Sequence, residues 1–468
     1  MTLAKQKKDF TTGPILGAMF AFVLPIIATS MLQVLYNMAD NIIVGQFSGD
    51  PDALAAVGST SSLTNLILNI MTGLAAGSGV VVSHAFGAKD MDNLRKSVHT
   101  AMTLSVICGV AVSAIGLIIA KPMLTLMGTN VDLLEKAHLY MLICCLGIPA
   151  TSVINFSATV LRSVGDSKTP LYILSISGIL NVLLNLVFVI VFHMSIAGVA
   201  LATIISQYAS AVTLVYLMFR RKSEHYALSW REMRIDSRIL ARILGLGIPI
   251  SIQSVVFSIS NVIITVGVNT FDKTVISAKT IAGNIESLIY VVLNAFMQAA
   301  LTFVGQNYGA KNPDRIKRSI WTAILQVLLI GGIAAAVMLV FAEPLTRLYL
   351  SADDPNVSAV LAHSIELLQL MLPAYVLCGV METIVGALRG LGYSLAPMLI
   401  TIIGTCGSRI LWVFLIFPLP TFNSIVGLFL VYPVSWILTI TAHSVTLIVS
   451  AKKGKLKKIN TQNEVASA

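Results

Sequence analysis

Charged side chains are scarce in this sequence. Asp, Glu, Lys and Arg together make up 11% of its 468 residues, where a soluble globular domain carries about a quarter. With 56% apolar residues and a mean hydropathy of +0.87, the chain cannot face water over most of its surface. That excludes an ordinary soluble enzyme or binding module. Cysteine is sparse too: Cys108, Cys144, Cys145, Cys378 and Cys406 all lie inside apolar runs, so no disulfide framework is expected and they read as small buried hydrophobes. No Gly-x-x-x-x-Gly-Lys-Ser/Thr sequence is present, which excludes P-loop ATP hydrolysis by this chain, and no His-Glu-x-x-His or Cys-x-x-Cys pattern offers a metal centre. Without a paired acid and base in one layer, no catalytic residues, no enzyme activity and no cofactor are expected.

What is present is a succession of long apolar runs. About twenty apolar residues cross a bilayer as a helix, and runs bounded by charge, Gly or Pro lie near 15–45, 54–84, 98–120, 136–161, 170–193, 197–219, 240–268, 276–305, 318–342, 358–387, 395–417 and 424–450. In lipid only a helix satisfies its own backbone, so an all-α polytopic membrane protein of twelve spans is predicted. Lys5, Lys7 and Lys8 before the first run resemble a signal peptide. The run is far longer than the roughly 7–15 residues of such a core and no small-residue cleavage site follows, so it reads as a retained span.

The net charge of +10 is spread over short segments between the runs, which argues for topology signals and against nucleic acid as a partner. With the amino terminus inside, 25 of the 31 Lys and Arg fall in cytoplasmic segments, among them Arg389 and Lys452–Lys458, five fall outside, and Arg409 lies within a span. Both termini are therefore expected on the cytoplasmic side of a bacterial inner membrane.

The two halves repeat. His84-Ala-Phe-Gly-Ala-Lys-Asp90 recurs as Gln306-Asn-Tyr-Gly-Ala-Lys-Asn312 at an offset of 222, with Val44-Gly45 on Val266-Gly267 and Pro122 on Pro344. Leu161-Arg162 and Pro170 recur as Leu388-Arg389 and Pro397 at 227. Six spans per half is an even number, so two six-helix bundles related by a parallel pseudo-twofold repeat are predicted. The expected organisation is an amino-terminal lobe over 1–219, a cytoplasmic linker over 220–238, a carboxy-terminal lobe over 239–451 and a basic tail over 452–468.

Ionisable groups inside hydrocarbon are expensive and by default mark function. In the first span Gln33, Tyr36, Asn37 and Asp40 stand at i, i+3, i+4 and i+7, on one helical face. Pro25 offers a bend point two turns earlier. The competing reading is a solvated Asp40 at the outer end of a long helix. Asn181 and Asn185 share a face of span 5, Thr203 and Gln207 share one of span 6, and Asn155 lies in span 4. Each alone reads as interhelical glue; together with Asp40 they suggest a hydrophilic pocket able to hold a proton or a hard cation such as Na⁺. In the second half Glu286, Glu382 and Arg409 are candidate cavity residues. The two acids are candidate counter-ions for Arg409, and a structural ion pair weighs as much there as a substrate contact. Glu366 reads as wet.

In order and spacing, these motifs resemble the multidrug and toxic compound extrusion family. The residues that carry the resemblance are Leu35-Tyr-Asn-Met-Ala-Asp40 with Val44-Gly45, Ala55-Ala-Val-Gly58, the paired Phe86-Gly-Ala-Lys89 and Tyr308-Gly-Ala-Lys311 loops, Leu161-Arg162 with Gly165, Gly198-Val-Ala-Leu-Ala-Thr203 and Gly386-Ala-Leu-Arg-Gly390. Together they run from about residue 13 to 450, essentially the whole chain. The resemblance is greatest to the DinF-like branch, which implies ion binding by the span 1 Asp, a span 5 Asn and a second span 5 Asp. Asp40 and Asn181 match, whereas Asn185 stands where the second Asp is expected, so Asp40 is left as the lone titrating group of the pocket. Span 7 lacks the acid used by the NorM-like branch.

The resemblance implies a secondary antiporter exporting organic, often cationic or amphipathic, compounds in exchange for H⁺ or Na⁺. Its coupling set is Asp40, Asn181, Asn185 and Thr203, with Na⁺ at Asp40 the one metal candidate. Cavity candidates are Gln33, Tyr36, Asn37, Asn155, Gln207, Glu286, Glu382 and Arg409. The partners expected are a small-molecule substrate and membrane lipid, with the chain working as a monomer. A flippase for a lipid-linked saccharide is the alternative, but it calls for several cavity Lys or Arg to hold a pyrophosphate, and only Arg409 is clearly intramembrane.

Overall fold

The computed structural model describes residues 9–47, 52–222, 224–350 and 356–453. Lys5, Lys7, Lys8 and the tail from 454 onward lie outside the described residues. Twelve helices long and apolar enough to cross a membrane occur among the described residues, with no strand. The first six are α1 (Ile15–Gly45), α2 (Ala55–Gly87), α3 (Met91–Leu126), α4 (Val131–Ser163), α5 (Lys168–Val191) and α6 (Ser195–Arg220). The second six are α7 (Ser237–Val268), α8 (Lys273–Gly309), α9 (Pro313–Val340), α10 (Val357–Gly390), α11 (Leu395–Ile416) and α12 (Ile425–Lys452).

The repeat is written into the backbone as well as the sequence. Lys89 and Lys311 both adopt the left-handed conformation that non-glycine residues rarely take, at φ 55° and 54°. Each sits just before a side-chain cap: Asp90 accepts from the Asn93 amide and Asn312 from the Arg315 amide, both at 3.1 Å. Gly165 and Gly392, related by the second offset, turn the chain with φ 84° and 78°. The Asn93 amide and side chain hold the Asp90 carboxyl below the usual carboxylate range. That cap is therefore intact at neutral pH and fails only when pH falls through the lowered value. Removing it by Asp90→Ala is expected to cost about 1 kcal/mol, read as a fall in the thermal midpoint in detergent; an unchanged midpoint removes the cap from the account.

The described chain divides into two compact units, and they do not part in the polar loop. Unit 1 holds Leu24–Ser251, and unit 2 holds Asp9–Val23 together with the chain from Ile252. The segment 220–238, read from the sequence as a linker, is docked on unit 1. Arg221 pairs with buried Asp166 at 2.7 Å, His99 Nε2 accepts from the Ser229 amide at 2.9 Å, and Thr100 Oγ1 accepts from the Asp236 amide at 3.1 Å. The first half of α7 then lies against α2 so closely that a methyl on Gly77 would stand 2.6 Å from the Gly247 nitrogen, and Ser251 Oγ donates to the Ile70 carbonyl at 2.9 Å.

In unit 2 the start of α1 is held just as firmly. Phe10 stacks on Phe303 at 4.0 Å, Asn307 and Arg315 donate to its carbonyl, and Gln326 donates to the Leu16 carbonyl at 2.8 Å. Pro25 and Pro249 lie within two residues of the points where α1 and α7 pass from one unit to the other. The cysteines are all free; Cys145, Cys378 and Cys406 are buried, and Cys108 and Cys144 half-buried.

Candidate functional site

The polar face of α1 divides in two. Gln33 and Asn37 are exposed, while Tyr36 and Asp40 turn into unit 1 and are half-buried. Tyr36 fixes the register of α1 on α5. Its hydroxyl donates to the Ser175 carbonyl at 3.0 Å, and its ring lies where a side chain on Gly178 would be. Two turns further along α5, Asn185 is fully buried and its Nδ2 donates to Asp40 Oδ1 at 2.5 Å. Asn185 Nδ2 also lies 3.5 Å from Asn181 Oδ1, and Asn181 Nδ2 donates to Thr203 Oγ1 at 3.3 Å. Thr203 closes the chain on its own helix by donating to the Val199 carbonyl. Asp40, Asn185, Asn181 and Thr203 therefore form one hydrogen-bonded line across three helices.

Gly178→Ala places a methyl inside the Tyr36 ring, so α1 has to move off α5. An overpacked interface of this kind costs about 1–3 kcal/mol. The expected result is a lower thermal midpoint and loss of transport, with the midpoint partly restored when Tyr36→Ala is added. A Gly178→Ala protein indistinguishable from the parent removes this contact as the device that sets Asp40.

Asn185 Oδ1 has no hydrogen-bond partner among the described residues although it is buried. A half-turn of that amide sets an oxygen beside the Asp40 carboxylate. With Asn181 Oδ1 and Thr203 Oγ1 this makes a set of oxygens suited to a hard cation; left as it stands, the carboxylate is a proton acceptor. The sequence reading missed Tyr140. It comes from α4, packs with Ile43 and Val44 beside Asp40, and falls within the electrostatic reach of the carboxylate. No periodic pattern on α4 singles it out.

The other candidates of unit 1 stand apart. Asn155 donates to the Thr151 carbonyl of its own helix. Gln207 Oε1 fills the space above Gly147 of α4, where a methyl would lie 2.8 Å away. Both serve packing in this structure, and neither joins the Asp40 line.

In unit 2 the candidate ion pair of Arg409 with Glu286 or Glu382 is not formed. Arg409 is fully buried, but it donates to Asn261 Oδ1 at 2.7 Å and lies over Tyr432 and Phe257, at 4.4 and 5.0 Å from the ring centroids. Neither Glu286 nor Glu382 pairs with it among the described residues. Glu286 accepts from the Tyr375 hydroxyl at 3.2 Å, and Glu382 lies about two turns before Arg389 on α10. The acids lie on α8 and α10, and helical position alone did not reveal which side chain each meets. Glu366 is half exposed beside His363, as expected of a wet residue.

Arg389 itself is a correction. Counted from the sequence as a cytoplasmic loop residue, it is only 5% exposed at the end of α10. Its Nη2 donates to Gln253 Oε1 at 3.0 Å, Gln253 Nε2 donates to Thr401 Oγ1 at 3.0 Å, and Thr401 lies 3.4 Å from His443 Nε2. This buried line joins α10, α7, α11 and α12.

Both repeated helices are irregular at the polar positions. α5 becomes π-helical over Val187–Val191, directly after Asn185. α11 is π-helical over Ile402–Gly407 and again over Trp412–Ile416. Wide turns of this kind are frequent at functional sites, and they appear here in the same helix of each half.

Comparison with known proteins bears on the family and the fold. The MatE family model matches residues 25–187 and 249–415, the two halves of the repeat. The chain is 29% identical over 414 residues to the Bacillus subtilis protein named probable multidrug resistance protein YoeA, covering 87% of this chain and 88% of the relative. It is 26% identical over 359 residues to a Shewanella oneidensis protein named FAD transporter, covering 75% and 78%. Among solved structures, an outward-facing multidrug resistance MATE transporter superposes with a TM-score of 0.85 at 21% identity, over 98% of this chain and 100% of the other. A transporter of the MOP superfamily from Pyrococcus furiosus gives the same TM-score at 22% identity, over 98% and 100%. With both halves matched by the family model, the chain is a multi-pass membrane protein belonging to the MatE family, the multidrug and toxic compound extrusion transporters.

Proposed function

We propose that the chain is a secondary antiporter that exports organic amphipathic compounds in exchange for H⁺ or Na⁺, with Asp40 as the coupling-ion site and Asn181, Asn185 and Thr203 as its partners. The observation that carries this reading is the line of hydrogen bonds from Thr203 through Asn181 and Asn185 to the Asp40 carboxylate. A membrane interior tolerates such a line where it handles an ion. Relatives named as multidrug resistance proteins support the substrate class.

The bias of Lys and Arg toward one set of loops supports cytoplasmic termini and placement in a bacterial inner membrane. Coupling then requires that the ion bind two states of the chain unequally, because a ligand shifts only an equilibrium whose states it distinguishes. Ion entry from outside favours the state that releases the compound outward, and ion loss to the cytoplasm resets it.

Proteoliposomes loaded with a fluorescent amphipathic cation test the reading under an imposed pH gradient and, separately, an imposed Na⁺ gradient. One of the two gradients is expected to accelerate efflux over protein-free vesicles. Efflux that answers to neither contradicts antiport.

A further inference from the structure

Arg409 is fully buried, and its polar partners among the described residues are the neutral Asn261 and Ser260, not a carboxylate. Its Nη1 reaches Asn261 and, at 3.4 Å, Ser260 Oγ, while Nε and Nη2 have no hydrogen-bond partner among the described residues. A guanidinium does not shed its proton in proteins, and an unpaired buried charge is expensive. The aromatic faces of Tyr432 and Phe257 offset part of that cost but leave two N–H directions unused.

Two independent features of the backbone mark the same place. Arg409 sits on Ser408–Leu411, a short α piece between the two π-helical stretches of α11. α12 is interrupted at Leu430, between Ile425–Phe429 and Val431–Lys453, next to Tyr432. From Tyr432 a row of rings continues within unit 2: Trp436 at 5.6 Å, then Tyr375 at 5.3 Å from Trp436. Tyr375 ends on Glu286, whose Oε1 is buried without a hydrogen-bond partner among the described residues, as is Trp436 Nε1. The row thus runs from unsatisfied N–H donors at one end to an unsatisfied carboxylate oxygen at the other.

We propose that unit 2 binds a zwitterionic aromatic substrate, with its carboxylate or phosphate on Nε and Nη2 of Arg409 and its ring against Tyr432 and Trp436. A planar guanidinium edge with two parallel N–H groups matches an oxyanion in geometry as well as charge. The inference deepens the proposed export function and rests on it for the word substrate, but the binding it asserts needs no ion gradient.

The test uses two dyes that differ in one group: an esterified rhodamine, which is a cation, and the same rhodamine with its carboxylate free, which is a zwitterion. Binding to the purified full chain in detergent is followed by fluorescence anisotropy. Wild type is expected to bind the free acid at least about tenfold more tightly than the ester, as charge-assisted hydrogen bonds require. Arg409→Gln should erase the difference by weakening the free acid alone, leaving the ester within about twofold. Arg409→Lys keeps the charge without the fork, so a reduced preference should remain; it carries the test if the Gln variant does not fold. Wild type that binds both dyes equally or neither, a Gln variant that keeps the preference, or a Lys variant that has none overturns the proposal. A dye preference intact in detergent, with no gradient-driven efflux in vesicles, defeats the antiport reading and leaves the site standing.

Discussion

Asp40→Asn is expected to reduce ion-driven efflux to the background of protein-free vesicles while leaving the amount of folded protein in the membrane unchanged. The amide keeps the shape of the side chain and still accepts from Asn185, so the 2.5 Å contact between α1 and α5 survives in kind. It can neither take up a proton nor contribute a negative charge to Na⁺. Replacing a half-buried carboxylate by a neutral group also removes the cost of keeping a charge away from water, so the thermal midpoint should not fall. No second acid backs it up on α5, where Asn185 occupies the neighbouring turn. Asp40→Glu, which keeps a titrating group one methylene further out, should retain part of the efflux. Wild-type efflux by the Asn variant under the same gradient makes Asp40 structural.

Arg389→Leu should behave in the opposite way. Arg389 is buried, and it is the head of the line through Gln253 and Thr401 to His443. Leucine leaves the buried Gln253 Oε1 without its donor. Losing a buried hydrogen bond made by a charged group costs about 1.5–3 kcal/mol and leaves its partner unsatisfied as well, a large part of the stability of any domain. The expected readout is a steep fall in folded protein recovered from the membrane and in the thermal midpoint of what remains. Gln253→Leu, which removes only the neutral link, should cost about 1–3 kcal/mol. An Arg389→Leu protein that folds normally but fails to transport would move Arg389 from the scaffold to the transport machinery. The two substitutions thus separate polar residues that hold the bundle together from those that handle an ion.

Much of this was legible in the sequence. Apolar runs of helical length marked all twelve spans, and the paired Gly-Ala-Lys loops marked a repeat that the backbone reproduces down to the φ of Lys89 and Lys311. The i, i+4 spacing of Asn181 and Asn185 placed both on one face of α5, and a buried amide in a membrane helix must find a partner: Asn185 finds Asp40 of α1 and Asn181 finds Thr203 of α6.

What the sequence did not show depends on depth and on neighbours far along the chain. Arg389 ends an apolar run and precedes a glycine, so hydropathy reads it as loop; only Gln253, more than a hundred residues away, reveals that it is covered. Glu286 and Glu382 were candidate counter-ions for Arg409 because both lie in spans, yet helical position says nothing about which side chain an α8 or α10 residue meets. The π-helical turns have no periodic signature. The passage of α1 and α7 from one unit to the other follows from contacts such as Phe10 on Phe303 and Gly77 on Gly247, which local pattern cannot anticipate.

The most direct test of the coupling site is electrical and needs no substrate. Proteoliposomes adsorbed on a solid-supported membrane are exposed to a rapid jump in H⁺ concentration and then to a jump in Na⁺. Wild type should give a transient charge displacement with one of the two ions as it enters the site beside Asn185. Asp40→Asn, at equal protein, should give none. A displacement of full size in the Asn variant contradicts the account and sends the search for the coupling ion to unit 2.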